Sequence, residues 1–363
     1  MHWRGQVFSW KYPCTWKMLH HCRSFRDKST VGTLLVGVLV LLALHWLISL
    51  EMQQDEVARF AALRIPDDPN FVPFRISSIE DLPTKGVPRI PRRIHQTWQS
   101  AMVPTTLQPW IESWIKMHPD WEYWLWTDDS ARELLKHKYP SLLPVFENYS
   151  ENIRRADTLR YVVLHEYGGV YADMDMESLK PLDPLIIKYS CFLGQEPYEH
   201  SIMDTNFQGL VINALMGCRA GHPFFKMVIN ILPDFSHMWN VLDSTGPHFL
   251  TYAYRTYSKT YPDYSLNHEN GVYLAPAEYF YPTSDTQKFT NMFQMCQNYY
   301  KLTPLQQRGC QSLKRLKPLA DRFSLAFTVH HWIHTYLTNK VFLRGSIAIK
   351  EIVPKVIIYG ETS

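Results

Sequence analysis

The chain of 363 residues holds 37 Lys and Arg against 34 Asp and Glu, a formal net charge of +3, with 46% hydrophobic residues. So small an imbalance excludes a nucleic-acid binder that works by bulk charge, and so much apolar material excludes a disordered chain; one large domain or two modest ones can be built from it. Twelve Trp and 21 Tyr are explained first by core packing, with a membrane belt or ring-stacking platforms as the alternatives.

Residues 1–30 form a tail with Arg4, Lys11, Lys17, Arg23, Arg26 and Lys28 against Asp27 alone. Residues 31–50 follow without a single Asp, Glu, Lys or Arg, about the length a helix needs to cross a bilayer. Glu51, Asp55 and Glu56 lie beyond it, so the positive-inside rule predicts a type II anchor with a cytosolic N-terminus and a lumenal bulk. A cleaved signal peptide is the competing reading; the length of the basic region and the lack of a small-x-small site between Ile48 and Met52 weigh against it. Near the C-terminus Arg344, Lys350, Glu351 and Lys355 interrupt the apolar run and exclude a second span. Cys14 and Cys22 belong to the tail, as free thiols or palmitoylation sites.

Residues 51–87, with Pro66, Asp67, Asp68, Pro69, Pro73 and Pro83 and no periodicity, read as a stem. The folded domain is expected over 88–340 and a C-terminal tail over 341–363. Extended stretches at 92–97 and 121–126 alternate with helical ones at 109–117 and 129–137, the signature of an α/β fold. Asn148-Tyr149-Ser150 is the one glycosylation sequon. On the lumenal side Cys191, Cys218, Cys296 and Cys310 match no metal-site spacing and allow one or two disulfides, with Cys296 to Cys310 the easiest loop to close and the pairing otherwise open.

The most informative stretch runs from Asn152 to Leu182. Ile153, Ala156, Leu159, Val162, Val163 and Tyr167 recur at helical spacing, Gly168 and Gly169 stop the helix, and Val170 to Asp173 reads as a short buried strand. Asp173 then sits at a strand's carboxyl end, where ligand crevices form in open α/β sheets, and the pair Asp173-x-Asp175 can present two carboxylates to a hard cation. Alone, a D-x-D is most often a solvated surface pair. Asp157 and Arg160 fall one turn apart on the preceding helix, as an intrahelical ion pair or as part of the same site.

The segment RADTLRYVVLHEYGGVYADMDMESLKPL resembles the signature of glycosyltransferase family 32, which includes initiating α-1,6-mannosyltransferases and inositol phosphoceramide mannosyltransferases. IPRRIHQTW (90–98), NALMGCRAGHPFF (213–225), STGPHFLT (244–251) and VHHWIHTY (329–336) are similar to its opening strand, middle, S/T-G-P and closing motifs. Thr335 and Tyr336 stand where the closing motif has Ser and Trp.

The resemblance implies a Rossmann-like GT-A fold, a retaining reaction and a nucleotide-sugar donor bound with Mn²⁺ or Mg²⁺. It implies that Asp157 and Arg160 hold the sugar and ribose, that Asp173 and Asp175 hold metal and diphosphate, and that His331, or less readily His330, completes the metal contacts. His95, Gln96 and Trp98 would lie by the nucleotide base, with Trp98 as core the bland alternative. Asn213 would touch the transferred sugar or acceptor, or else cap a turn, and Gly246 and Pro247 would shape a loop. The expected activity is transfer of mannose from GDP-mannose to an inositol phosphoceramide-like glycolipid at a Golgi or ER membrane, with a small regulatory membrane subunit as a partner. N-glycan mannosylation and a UDP-sugar donor (galactose or N-acetylglucosamine) are alternatives within the class. A non-catalytic lumenal sugar-binding protein is the alternative outside it.

Overall fold

The computed structural model describes residues 33, 35–50, 76, 78–317, 319–334 and 343–361. The basic tail with Cys14 and Cys22, stem residues 51–75, and Thr335 and Tyr336 lie outside the described residues. The chain divides into two units, Met1–Arg59 and Phe60–Ser363. In the first, residues 35–50 are helical, and the apolar side chains from Leu35 to Ile48 are exposed. Among the described residues no helix is long and apolar enough to cross a membrane; positions 31, 32 and 34 of the expected span are outside them.

The second unit is α/β, built on a seven-stranded sheet ordered β11-β3-β1-β4-β7-β6-β8. Its strands are β1 (Arg93–Thr97), β3 (Glu122–Trp126), β4 (Gly169–Ala172), β6 (Cys191–Gln195), β7 (Val211–Cys218), β8 (Tyr273–Ala275) and β11 (Ile357–Ile358). β7 runs against its neighbours β4 and β6, whereas β1 is parallel to β3 and β4, β11 to β3, and β8 to β6. β4 and β7 are buried along their whole length, which is why GVYA and VINALMGC read as apolar runs rather than alternating ones. Two apolar cores cover the faces, one around Ile94, Trp114, Val170 and Phe192, the other around Trp126, Val162, Met216 and Phe249. Burial on this scale, at about 25 cal/mol per Å² of apolar surface, is the main force holding the sheet to its helices.

Local chemistry sets the elements. Thr127 caps helix Asp128–Lys138 through a reciprocal box with Ser130. Helix Asn152–Tyr167 ends where Gly168 (φ 62°) and Gly169 (φ 113°) turn the chain back into β4. A Cβ on Gly169 would lie 2.7 Å from the Arg93 carbonyl oxygen, so the strand's entry requires glycine. Cys191–Cys218 links β6 to β7, and Cys296–Cys310 links helices Thr286–Gln297 and Pro304–Lys314. The expectation of a tail over 341–363 needs correction: β11 is an edge strand of the main sheet, and β10 (Ile347–Ala348) pairs with β2 (Met102–Val103). Runs of only two apolar residues are too short to announce strands in sequence.

Candidate active site

Asp173 follows β4 directly, and its N–H donates to the Ala214 carbonyl on β7 (2.8 Å), so its position is fixed by the sheet. The chain then turns into β5 (Met176–Ser178), which pairs antiparallel with β9 (Thr328–His330), with Met176 opposite His330. That ladder carries the closing motif to the D-x-D pair. His330 Nε2 lies 3.3 Å from Asp175 Oδ1, the Ile333 N–H donates to Asp175 Oδ2 (2.9 Å), and the His331 N–H donates to the Asp175 carbonyl (3.0 Å). Trp332 (φ 55°) and His334 (φ 50°) adopt left-handed backbone, a costly conformation for bulky residues that the surrounding bonds must hold.

Asp157 and Arg160, one turn apart on helix Asn152–Tyr167, join Asp173 from the other side. Arg160 pairs with Asp157 Oδ1 and with Asp173 Oδ1, each at 3.1 Å, donates to the Asn213 carbonyl (2.8 Å), and stacks over the Tyr171 ring at 4.7 Å. Asp157 also accepts from Asn213 Nδ2 (2.9 Å) and Thr245 Oγ1 (2.8 Å), and Tyr171 OH donates to Asp173 Oδ1 (2.7 Å). Asp157, Arg160 and Asp175 are all more than nine-tenths buried. Such charges survive only when paired and hydrogen-bonded.

The electrostatics divide the carboxylates. Burial pushes Asp157 up to about 6 against the pull of Arg160, and Asp173 is raised in the same way. At Asp175 burial is outweighed by His330 and the Ile333 N–H, which hold it at about 2.

One cavity of about 330 Å³ is lined by Trp98, Asp157, Arg160, Asp173, Asp175, Asn213 and His330, together with Gly246 and Pro247. The structure thus brings Asp157, Arg160, Asp173, Asp175, Asn213 and Trp98 together around this one cavity. Trp98 lines this cavity, and its indole N–H is buried without a partner among the described residues. Two placements differ. His331 points away, its Nε2 paired with Glu177 Oε2 (2.9 Å) and its ring stacked on Trp110 at 4.2 Å; successive side chains of extended backbone face opposite ways, and His330 takes the inward position. His95 is fully buried beneath the site, with Nε2 against the Gly168 carbonyl (2.8 Å) and Nδ1 accepting from Trp126 Nε1 (3.1 Å), and it does not line the cavity. Gln96 likewise braces the site from below, donating to the Asp173 carbonyl (3.0 Å). Asn148 is exposed at the end of helix Leu143–Asn148.

Thr245, Tyr171, Glu196, His200 and His248 escaped the sequence reading. Thr245 and His248 lie inside the STGPHFLT segment, and Tyr171 was within reach as well, since a residue two before Asp173 on a strand shares its face.

A divalent cation would fit the site. Asp173, Asp175 and His330 offer one ligand atom each, all within 4.8 Å of one another, and His330 Nδ1 is buried with no partner among the described residues. Two carboxylates and an imidazole suit Mn²⁺ well and Mg²⁺ acceptably. Cys191, Cys218 and His222 also cluster, but both cysteines are consumed in the disulfide.

Residues 104–192 match the family model described as the glycosyltransferase sugar-binding region containing DXD motif. The chain is 38% identical over 178 residues to inositol phosphoceramide mannosyltransferase 3 of Schizosaccharomyces pombe, covering 47% of this chain and 46% of that protein. It is 36% identical over 188 residues to mannosyl phosphorylinositol ceramide synthase SUR1 of Saccharomyces cerevisiae, covering 50% and 46%. With the initiation-specific alpha-1,6-mannosyltransferase of the same yeast it shares 36% identity over 102 residues, 26% of this chain and 21% of that one. The chain thus spans about half the length of the first two relatives. Among solved structures, PaToxG glycosyltransferase aligns at 16% identity over 66% of this chain and 89% of its own, with a TM-score of 0.38. Over residues 104–192 the chain is thus similar to the glycosyltransferases whose sugar-binding region contains the DXD motif.

Proposed function

We propose that the protein is a retaining glycosyltransferase of GT-A type that moves mannose from GDP-mannose to an inositol phosphoceramide-like glycolipid, anchored by its N-terminal apolar segment in a Golgi or ER membrane. The observation that carries this reading is the convergence of Asp173, Asp175 and His330 with Asp157 and Arg160 on one cavity. The names of the relatives from Schizosaccharomyces pombe and Saccharomyces cerevisiae that match over about half of the chain support the sugar and the acceptor class. A regulatory membrane subunit belongs to the same proposal.

Asp173, Asp175 and His330 would hold Mn²⁺, which supplies Lewis-acid neutralisation of a departing diphosphate. The chain's own residues set the rest. Arg160, shared between Asp157 and Asp173, ties the helix to the D-x-D strand and fixes the carboxylates before any donor arrives. Asn213 and Thr245 lock the orientation of Asp157. Burial of Asp157, Arg160, Asp175 and Asn213 limits the access of water, which favours transfer to an acceptor hydroxyl over hydrolysis. No carboxylate stands free to serve as a nucleophile among Asp157, Asp173 and Asp175, in keeping with same-face attack in which the protein positions the reactants.

The test is a transfer assay on the full chain with GDP-mannose, UDP-galactose, UDP-N-acetylglucosamine and UDP-glucose, with and without Mn²⁺. Mn²⁺-dependent mannose transfer to an inositol-bearing lipid is expected. Use of a UDP sugar alone would overturn the donor assignment, and no turnover with any donor would favour a non-catalytic sugar-binding protein.

A further inference from the structure

The cavity is also lined by two histidines that the donor site does not use, His200 and His248. Each is braced in the same way. His200 Nδ1 lies 2.5 Å from Glu196 Oε1, and His248 Nδ1 lies 2.7 Å from Asp243 Oδ1. Both rings are more than nine-tenths buried, and in both the far nitrogen, Nε2, has no hydrogen-bond partner among the described residues. Buried polar atoms left unpaired are uncommon in native folds and ask for an explanation. His222 Nε2 is also unpartnered, but His222 has no carboxylate brace and does not line the cavity.

The two rings come from different parts of the chain. His200 lies on helix Tyr198–Thr205, four residues after Glu196, which lies just beyond β6. His248 lies in the first turn of helix Pro247–Thr260, three residues after Thr245, which bonds Asp157. Trp332 links His200 to the proposed metal ligands, standing edge-on to His200 (ring centroids 4.9 Å apart) and to His330 (4.2 Å). His200 is therefore one indole removed from His330.

A carboxylate holds Nδ1 of each ring, which leaves Nε2 as the atom that can hydrogen-bond a ligand. Two such atoms, on rings that line one cavity, match a ligand that carries several hydroxyls. We propose that His200 and His248, oriented by Glu196 and Asp243, form the acceptor subsite, each receiving a hydroxyl of a cyclic polyol. This rests on the transferase reading and names where its acceptor binds. The shared chemistry is that of vicinal hydroxyls, supplied by an inositol headgroup or by a terminal mannoside.

The experiment follows the imidazole ¹⁵N signals of the full chain, labelled at histidine, during titration with glycerophosphoinositol and, separately, with methyl α-mannoside. Shifts at the Nε2 atoms of His200 and His248 are expected, and the probe that produces them identifies the source. His200→Asn and His248→Asn keep a donor near the Nδ1 position and delete Nε2. Each is expected to weaken polyol binding about tenfold, the equivalent of one hydrogen bond, and to lower the ratio of sugar transfer to donor hydrolysis. His200→Gln, which restores a polar atom near Nε2, is expected to recover part of the loss. Wild-type protein whose His200 and His248 signals do not move with either polyol overturns the subsite, as do folded Asn variants that bind as wild type does. The wild-type readout needs no variant to fold. Polyol binding at these rings in a protein that responds to no nucleotide sugar would leave the subsite standing and sink the transferase reading. A donor response with silent rings would do the reverse.

Discussion

Arg160 is the residue on which the candidate site turns, because one guanidinium answers the buried Asp157 and the partly exposed Asp173. Replacing it with Met leaves Asp157 and Asp173 without their cation, and loss of one partner of a buried pair costs about 3–5 kcal/mol. Equilibrium denaturation of Arg160→Met is expected to show a loss of that size, far beyond an ordinary surface change. Asp175→Asn acts differently: the amide oxygen can still accept from Ile333, but the charge facing His330 is gone. It is expected to abolish Mn²⁺-dependent turnover while the protein stays folded, read by transfer assay beside a thermal melt. Retained turnover would remove Asp175 from the site. The spacing of Asp157, Arg160, Asp173 and Asp175 was legible in the sequence because all four lie on one helix–turn–strand unit. The choice of His330 over His331 was not, because it depends on the phase of a strand, β9, that meets β5 from about 150 residues further along the chain.

At the scale of elements, the Gly168–Gly169 turn sets where the D-x-D strand begins. Gly169→Ala forces a Cβ against the Arg93 carbonyl at a backbone angle that L-residues rarely adopt. A destabilisation of about 2 kcal/mol or more is expected, since both steric and conformational strain act, and chemical denaturation measures it. The Cys296–Cys310 bridge closes a short loop between two helices whose own core is small: Tyr198, Ile202, Met203, Met292, Leu305 and Leu313. Replacing both cysteines with Ser should cost about 3 kcal/mol by loop entropy. The loss should appear first as faster amide exchange in those helices rather than in the main sheet. This loop was recognisable from spacing; Cys191–Cys218 was not, because it joins adjacent strands whose pairing only the fold reveals.

For the molecule as a whole, buried neutral histidines tie stability to pH. Burial lowers His95 and His118 to about 4, and His222 to about 3. A histidine whose folded value lies below its unfolded value of about 6.5 contributes full stability above pH 6.5 and loses it as pH falls through that value toward the folded one, at up to about 1.4 kcal/mol per pH unit. The melting temperature is therefore expected to fall between pH 6.5 and 4. His118→Gln, whose site is held by Trp114 and Leu182, should lower the plateau and flatten the slope. An unchanged slope would place the acid sensitivity elsewhere. Fold class was readable at this scale from alternating helix and strand patterns, whereas the antiparallel β7 and the C-terminal strands were not, since both are settled by pairing between distant segments.

The most direct test of the central claim is Mn²⁺ binding to the full chain, followed by electron paramagnetic resonance of free metal in the presence of GDP, in the wild type and in Asp173→Asn, Asp175→Asn, His330→Gln and His331→Gln. The account predicts one site per chain that is lost or greatly weakened in the first three variants and retained in the fourth. Binding that survives in the first three, or is lost only with His331, would contradict it.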